Sequence, residues 1–383
     1  MVSRRGFIRV LGTSAVILAA GGVGLTQCDP MPDAAIEAWK GPAPNIKDPR
    51  VRALSFALLA PNPHNMQPWI ADLREPGVIT FFCDRSRLLP ASDPYARQIT
   101  VGCGAFLEML RMAAAEQGFR ADIAAFPQGD WPENAVGDQP VCRVAFVADQ
   151  TVQRDPLLAQ ALMRRTNRGS FDNSPVARGD AEAIGAAMYA RARYGWTAEE
   201  DAMTRLRDIA KRAWTIEVGA DGPYYESVKV YRVTGDDILK HRDGLSFHGP
   251  LFWWLRATGL FSRERGLRGD SFMRDQTRDF ADTQISTARA FAWIVTPSND
   301  RRAQLMAGAA FVRANLQATL LGLAMQPLSQ ALQEYKEMVP VYAEMKRALG
   351  VAESETLQMF FRLGRASPGE PSPRRPLDEI IRA

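Results

Sequence analysis

From Gln98 to Gln117, apolar side chains recur at Ile99, Cys103, Phe106, Leu107, Leu110 and Ala114, and Gly118 follows. That three-to-four spacing is one face of a helix, and the glycine is its stop. Gln304 to Leu321 repeats the rhythm through Leu305, Phe311, Val312, Leu316 and Leu320, with Asn299-Asp300 opening a turn before it and Gly322 after it. Gln98 and Gly102 stand at the same spacing as Gln304 and Gly308, and a small residue at Gly102 and Gly308 suits two long helices that cross closely. Between the helices lie shorter apolar runs. Trp69 to Leu73 and Val78 to Phe82, joined by a turn at Pro76-Gly77, predict adjacent strands; Val141 to Val147 and Ala290 to Val295 predict two more. Val51 to Leu59 predicts a short helix.

The order of elements in residues 50–150 therefore returns in 151–383, which favours an internal duplication. The expected fold class is α+β, with a mixed sheet in each half and long helices between them. Residues 181–288 have no counterpart in the first half. This stretch carries Tyr224-Tyr225-Glu226, Tyr231-Arg232 and a Gly/Pro-punctuated run from His241 to Pro250 that leads into Phe252-Trp253-Trp254. It is either a lid over a site or a helical arm whose aromatics are core. His248, between Phe247 and Gly249, is its candidate proton donor and hence the candidate catalytic residue, against the alternative of a satisfied structural histidine.

Composition changes little in this picture. With 383 residues, 46% of them hydrophobic and 23% charged, the chain can bury two ordinary cores. Three of its four net positive charges sit on Arg4, Arg5 and Arg9, and the near-neutral remainder gives no case for nucleic acid as a partner. Those arginines belong to a leader over residues 1–28. Ser3-Arg4-Arg5-Gly6-Phe7-Ile8-Arg9 followed by apolar Val10 to Leu25 matches a twin-arginine export signal, so a periplasmic or other extracytoplasmic location is expected. Contact with a membrane is expected only through that signal or through an anchor at Cys28, which Gln27 disfavours. Residues 29–49 read as a Pro-rich linker. Cys83 and Cys103 read as small buried residues, and three histidines without ligand spacing make a transition metal unlikely to be held.

Two stretches carry candidate chemistry. Ala60-Pro61-Asn62-Pro63-His64-Asn65-Met66-Gln67-Pro68-Trp69 is a polar loop stiffened by three prolines, suited to hydrogen-bonding a heteroaromatic edge. Arg164-Arg165-Thr166-Asn167-Arg168 puts three guanidiniums and a hydroxyl in five residues, a phosphate cradle or a solvated charge run.

Together these two stretches resemble motifs of the FMN-dependent nitroreductase superfamily: an arginine phosphate motif and a proline loop, with Asn62 in place of the usual serine. Their order is inverted, the arginines following the loop by 104 residues. With an export leader, this resembles the Acg-like branch. The resemblance implies a nitroreductase-like fold of two fused units, an intrachain pseudo-dimer with one FMN site. It implies cofactor contacts from Pro61, Asn62, Pro63, His64, Asn65 and Gln67 along the ribityl and ring. It places Arg164, Arg165 and Thr166 at the phosphate, Arg168 toward the pyrimidine edge, and Pro327, Leu328 and Ser329 against the isoalloxazine. Arg362 and Arg365 of a C-terminal strand, Phe361 to Arg365, would complete the phosphate site. The expected activity is an exported FMN oxidoreductase acting on a small aromatic or conjugated substrate with an undetermined electron donor or acceptor. A non-catalytic FMN storage or sequestration protein is the alternative. No G-x-S-x-G, P-loop or dinucleotide fingerprint supports another class.

Overall fold

The computed structural model describes residues 28–189 and 192–382; the expected export leader with Arg4, Arg5 and Arg9 lies outside the described residues but for Cys28. Both long helices form, over Arg97–Glu116 and Arg301–Leu320. Asp300 caps the second by accepting from the Ala303 N–H at 2.9 Å, and the buried Asp93 carboxylate takes the Gln98 and Ile99 N–H groups of the first. Gly118 and Gly322, at φ +77° and +66°, follow the two ends, the left-handed position that glycine fills without a Cβ clash.

The strands among the described residues are β1 (Trp69–Asp72), β2 (Val78–Cys83), β3 (Phe119–Ala125), β4 (Cys142–Ala148), β5 (Arg193–Thr197), β6 (Tyr231–Arg232), β7 (Leu245–Ser246), β8 (Ala290–Thr296), β9 (Ala324–Pro327), β10 (Thr356–Gly364) and β11 (Ile381–Arg382). They build one sheet per half, in the orders β11-β1-β2-β4-β3 and β5-β8-β10-β9, and a separate β6-β7 pair. The fold is mixed α+β. The first sheet is closed by the far end of the chain: β11 runs parallel to β1, with Ala71 opposite Ile381.

The two central helices cross where both backbones are bare. A Cβ on Gly104 would lie 1.9 Å from the Leu305 carbonyl oxygen, and one on Gly308 would lie 1.8 Å from that of Val101. Gly308 is thus where the spacing placed it, but its partner is Gly104; Gly102 instead faces the proline loop, 3.2 Å from the Asn62 Cβ. The first residue of each helix reaches into the opposite half. Arg97 donates to the carbonyls of Leu332 and Gln358, and Arg301 to those of Pro132, Glu133 and Ala135. These buried guanidiniums satisfy carbonyls of the 132–135 loop, of the turn at Leu332 and of Gln358 in β10.

The stretch 181–288 divides. Its flanks belong to the second half: β5 pairs with β8, and Met203, Leu206, Ile209 and Ile285 pack with Phe291 and Phe360. Between the flanks, Val218, Tyr224, Val228, Tyr231 and Met273 form a small core with Phe247 and Phe261 around β6-β7. The presumed linker also has structure. It makes two short 3₁₀ turns that bury Trp39, whose indole N–H donates to the Ser372 carbonyl at 2.8 Å.

Candidate functional site

Three non-glycine residues of the proline loop, His64, Asn65 and Gln67, sit at φ near +50°. Each such residue costs on the order of 1 kcal/mol, so the surroundings must hold the shape. Gln67 supplies much of that hold. Fully buried, its side-chain amide donates to the carbonyls of Asn65 and Arg242, while its side-chain carbonyl accepts the Arg375 N–H at 2.8 Å. Asn62 accepts the Gln67 N–H at 2.7 Å and donates to the Ala60 carbonyl; Asn65 donates to the Pro373 carbonyl and accepts from Arg374 at 2.8 Å. The three amides assigned from the sequence to a ligand thus also shape the loop. Pro61, Pro63 and His64 remain half-buried on it, with His64 Nε2 2.8 Å from the Ser227 hydroxyl.

The arginine motif is buried for the most part, and it gathers with a residue the sequence reading missed. The Arg164 and Arg374 guanidiniums both donate to the Leu59 carbonyl, at 2.8 and 3.1 Å. Both also lie over the Trp39 ring, at 5.4 and 4.8 Å, and Arg165 stacks there at 4.2 Å. Among the described residues, none of these three is ion-paired with a carboxylate, and the Nε atoms of Arg164 and Arg374 have no hydrogen-bond partner. Burial brings Arg164 down to about 9, with Arg165 adding to the effect; burial, then Arg164 and Arg165, pulls Arg374 well below its ordinary value. Three crowded cations without a counter-ion form a site short of negative charge, which fits a phosphate.

Arg168 differs from its neighbours. Its side chain reaches solvent, yet surrounding protein lowers its pKa through desolvation. Its charge is felt at His64, which burial first and Arg168 second bring down to about 4. His64 is therefore a neutral imidazole at pH 7, able to hydrogen-bond without adding to the positive field. Because the unfolded chain binds this proton near pH 6.5 and the folded chain only near 4, stability falls as pH drops through that window. His64→Asn, which tolerates the left-handed backbone, should remove on the order of 2 kcal/mol of this acid loss. Urea melts of wild type and variant at pH 7 and pH 4 check it; equal losses would refute the buried neutral histidine.

The remaining assignments separate. Arg362 is fully buried but ties the motif to β10, donating to the carbonyls of Asn167 and Gly169 with Phe171 at 3.8 Å over its guanidinium. Arg365, expected at the phosphate, pairs with Asp180 at 3.2 Å and donates to the carbonyls of Leu321 and Gly322, whereas Arg374 joins Arg164 at the Leu59 carbonyl. Thr166 lies beside Gly369, and β9 reaches the motif through the Asn167 N–H to the Met325 carbonyl. Beyond β9, the Leu328 N–H is taken by the Phe360 carbonyl, while Pro327 and Ser329 are half-buried on that turn. His248 does not meet His64; its Nε2 is 3.1 Å from Glu370, beside the segment that packs on Arg165. Arg374 and Trp39 had a signal only in hindsight, an Arg-Arg pair after Pro373 and a lone indole in a Pro-rich stretch.

The insertion closes on the loop from above. Ser227 meets His64, the Gly244 N–H donates to the Asn65 carbonyl at 3.2 Å, and Gln67 reaches Arg242. Glu226 accepts the N–H groups of Ala91 and Ser92, and Asp243 pairs with Arg87 at 2.5 Å.

No family model matches the chain. Three curated proteins of Mycobacterium tuberculosis (strain ATCC 25618 / H37Rv) are similar over most of its length. "Putative NAD(P)H nitroreductase acg" is 28% identical over 350 residues, 86% of this chain and 94% of that protein. "Putative NAD(P)H nitroreductase Rv3131" is 28% identical over 371 residues, 89% and 95% of the two. "Uncharacterized protein Rv3127" is 29% identical over 354 residues, 86% and 91%. The chain is thus similar to proteins named as nitroreductases. A solved nitroreductase with bound FMN from Desulfitobacterium hafniense DCB-2 aligns with 60% of this chain and all of its own, at 14% identity and a TM-score of 0.35.

Proposed function

We propose that this chain is an exported FMN-dependent oxidoreductase of nitroreductase type, built of two fused units that share one flavin site. The observation that carries the reading is the cation cluster of Arg164, Arg165 and Arg374, without a carboxylate partner among the described residues and joined to the proline loop by the Arg374–Asn65 hydrogen bond. Similarity to proteins named as NAD(P)H nitroreductases supports it. In this reading the three arginines hold the phosphate, Arg168 and neutral His64 line the cleft beyond it, and the loop's own amides keep that wall rigid. A bound flavin supplies the electron transfer. The substrate is a small aromatic or conjugated molecule. Outside the cytoplasm reduced nicotinamides are scarce, so another donor, or oxygen as acceptor, takes their place.

A second reading, an FMN storage or sequestration protein, is favoured by one feature. The insertion hydrogen-bonds the proline loop at Asn65 and Gln67 and meets it at His64, which restricts access from that side. The visible spectrum of the purified chain, with the released chromophore identified by mass, tests both readings. About one FMN per chain is expected, and anaerobic bleaching by nicotinamides or artificial donors separates enzyme from store. A colourless protein that takes up no FMN refutes both.

A further inference from the structure

Of eight tryptophans, Trp253 and Trp254 are the two exposed ones, each 39% accessible and adjacent on the helix Pro250–Ala257 of the insertion. Leu239 and Leu267 are also exposed, on the helices Gly235–His241 and Arg263–Leu267. These three short helices are tied to one another. Asp29 accepts the Gly235 N–H and an Arg256 N–H through its carboxylate and the Gly249 N–H through its carbonyl, and Arg263 lies 3.5 Å from Asp237. A lone surface leucine is ordinary, but paired exposed indoles on one short helix, with exposed leucines on the two helices tied to it, mark a contact surface.

Asp29 also says where the chain enters the fold. The described chain begins at Cys28, next to Asp29, which bonds to the helix that carries the tryptophans, and the sequence before it holds sixteen consecutive uncharged residues from Val10 to Leu25. We infer that this face of the insertion is a bilayer-facing surface, with Trp253 and Trp254 seated at the headgroup level of the membrane that takes the N-terminal apolar segment. Indole suits that depth, since its ring is apolar and its N–H needs a polar partner. Charge does not drive the contact, because Lys240, Arg242, Arg263, Arg265 and Arg268 are interleaved with Asp236, Asp237, Glu264 and Asp270. Attachment through the N-terminal segment makes the indole contact effectively intramolecular, so a weak contact suffices.

The test uses the full chain on phosphatidylcholine vesicles with and without lipid brominated near the headgroup. Bromolipid is expected to quench part of the tryptophan emission, and Trp253→Phe/Trp254→Phe is expected to lose at least half of that quenching while still sedimenting with the vesicles. The other tryptophans are buried or half-buried, so the double variant reads this face alone. Equal quenching in both proteins overturns the inference. So does a dimer in vesicle-free solution that shields the two indoles from iodide, which assigns the face to a second copy. Shielding in a monomer assigns it to the N-terminal segment folded back, and likewise overturns it.

Discussion

Arg164→Met is expected to weaken FMN binding by on the order of 10²–10³-fold while leaving the apoprotein about as stable as wild type. Methionine matches the buried stem and removes one of three crowded cations. The hydrogen bonds lost are those to Asn315 at 3.0 Å and Leu59 at 2.8 Å, and the Leu59 carbonyl keeps the Arg374 guanidinium. Relief of repulsion offsets that loss in the apoprotein, where the charge has no counter-ion. With phosphate bound the balance reverses, because a charge-assisted bond disappears in a dry site. Quenching of flavin fluorescence on titration reads the affinity, and urea melts of the apoprotein read the stability. Arg365→Met is the control: paired with Asp180 and apart from the cluster, it should leave affinity unchanged. Equal FMN affinity for Arg164→Met and wild type would remove the cluster from the site.

Gly308→Ala is expected to cost about 3 kcal/mol or more, the upper range for overpacking. The added methyl would stand 1.8 Å from the Val101 carbonyl oxygen and 2.8 Å from the Ala105 nitrogen, and neither backbone atom can rotate away. The central helices must part, which opens the interface between the halves. Helix propensity works the other way, alanine exceeding glycine by about 1 kcal/mol, and does not compensate. Gly102→Ala is the comparison: its methyl meets the Asn62 Cβ at 3.2 Å, a contact a small shift of the loop relieves, so stability should stay within about 1 kcal/mol of wild type. Denaturant midpoints of the two variants check the pair. A Gly308→Ala protein as stable as wild type would mean the helices do not cross this closely.

Local pattern carried the secondary structure well because each signal is contained in a short window. The long helices, their glycine stops and the four predicted strands all form within a few residues of the expected bounds. Strand β3 escaped because its residues alternate only weakly, with most of them solvent-facing. The candidate site was legible in outline: the arginine motif meets the start of the proline loop, Arg164 donating to the Leu59 carbonyl and Arg168 acting on His64. The role of each side chain was not. An amide that shapes a loop and an amide that binds a ligand are the same residue in a sequence, and only the partners of Asn62, Asn65 and Gln67 tell them apart.

The sequence by itself determined the period of each element, the stiffness of the proline loop and the number of cations the chain can offer. Which cations meet was decided by the tertiary structure. Arg365 follows β10 directly and pairs with Asp180; Arg374 reaches the cluster on the segment that leads to the last strand, β11, which crosses to the first half and pairs with β1. A contact between residues some 200 to 300 positions apart depends on chain path and packing, which no local window contains.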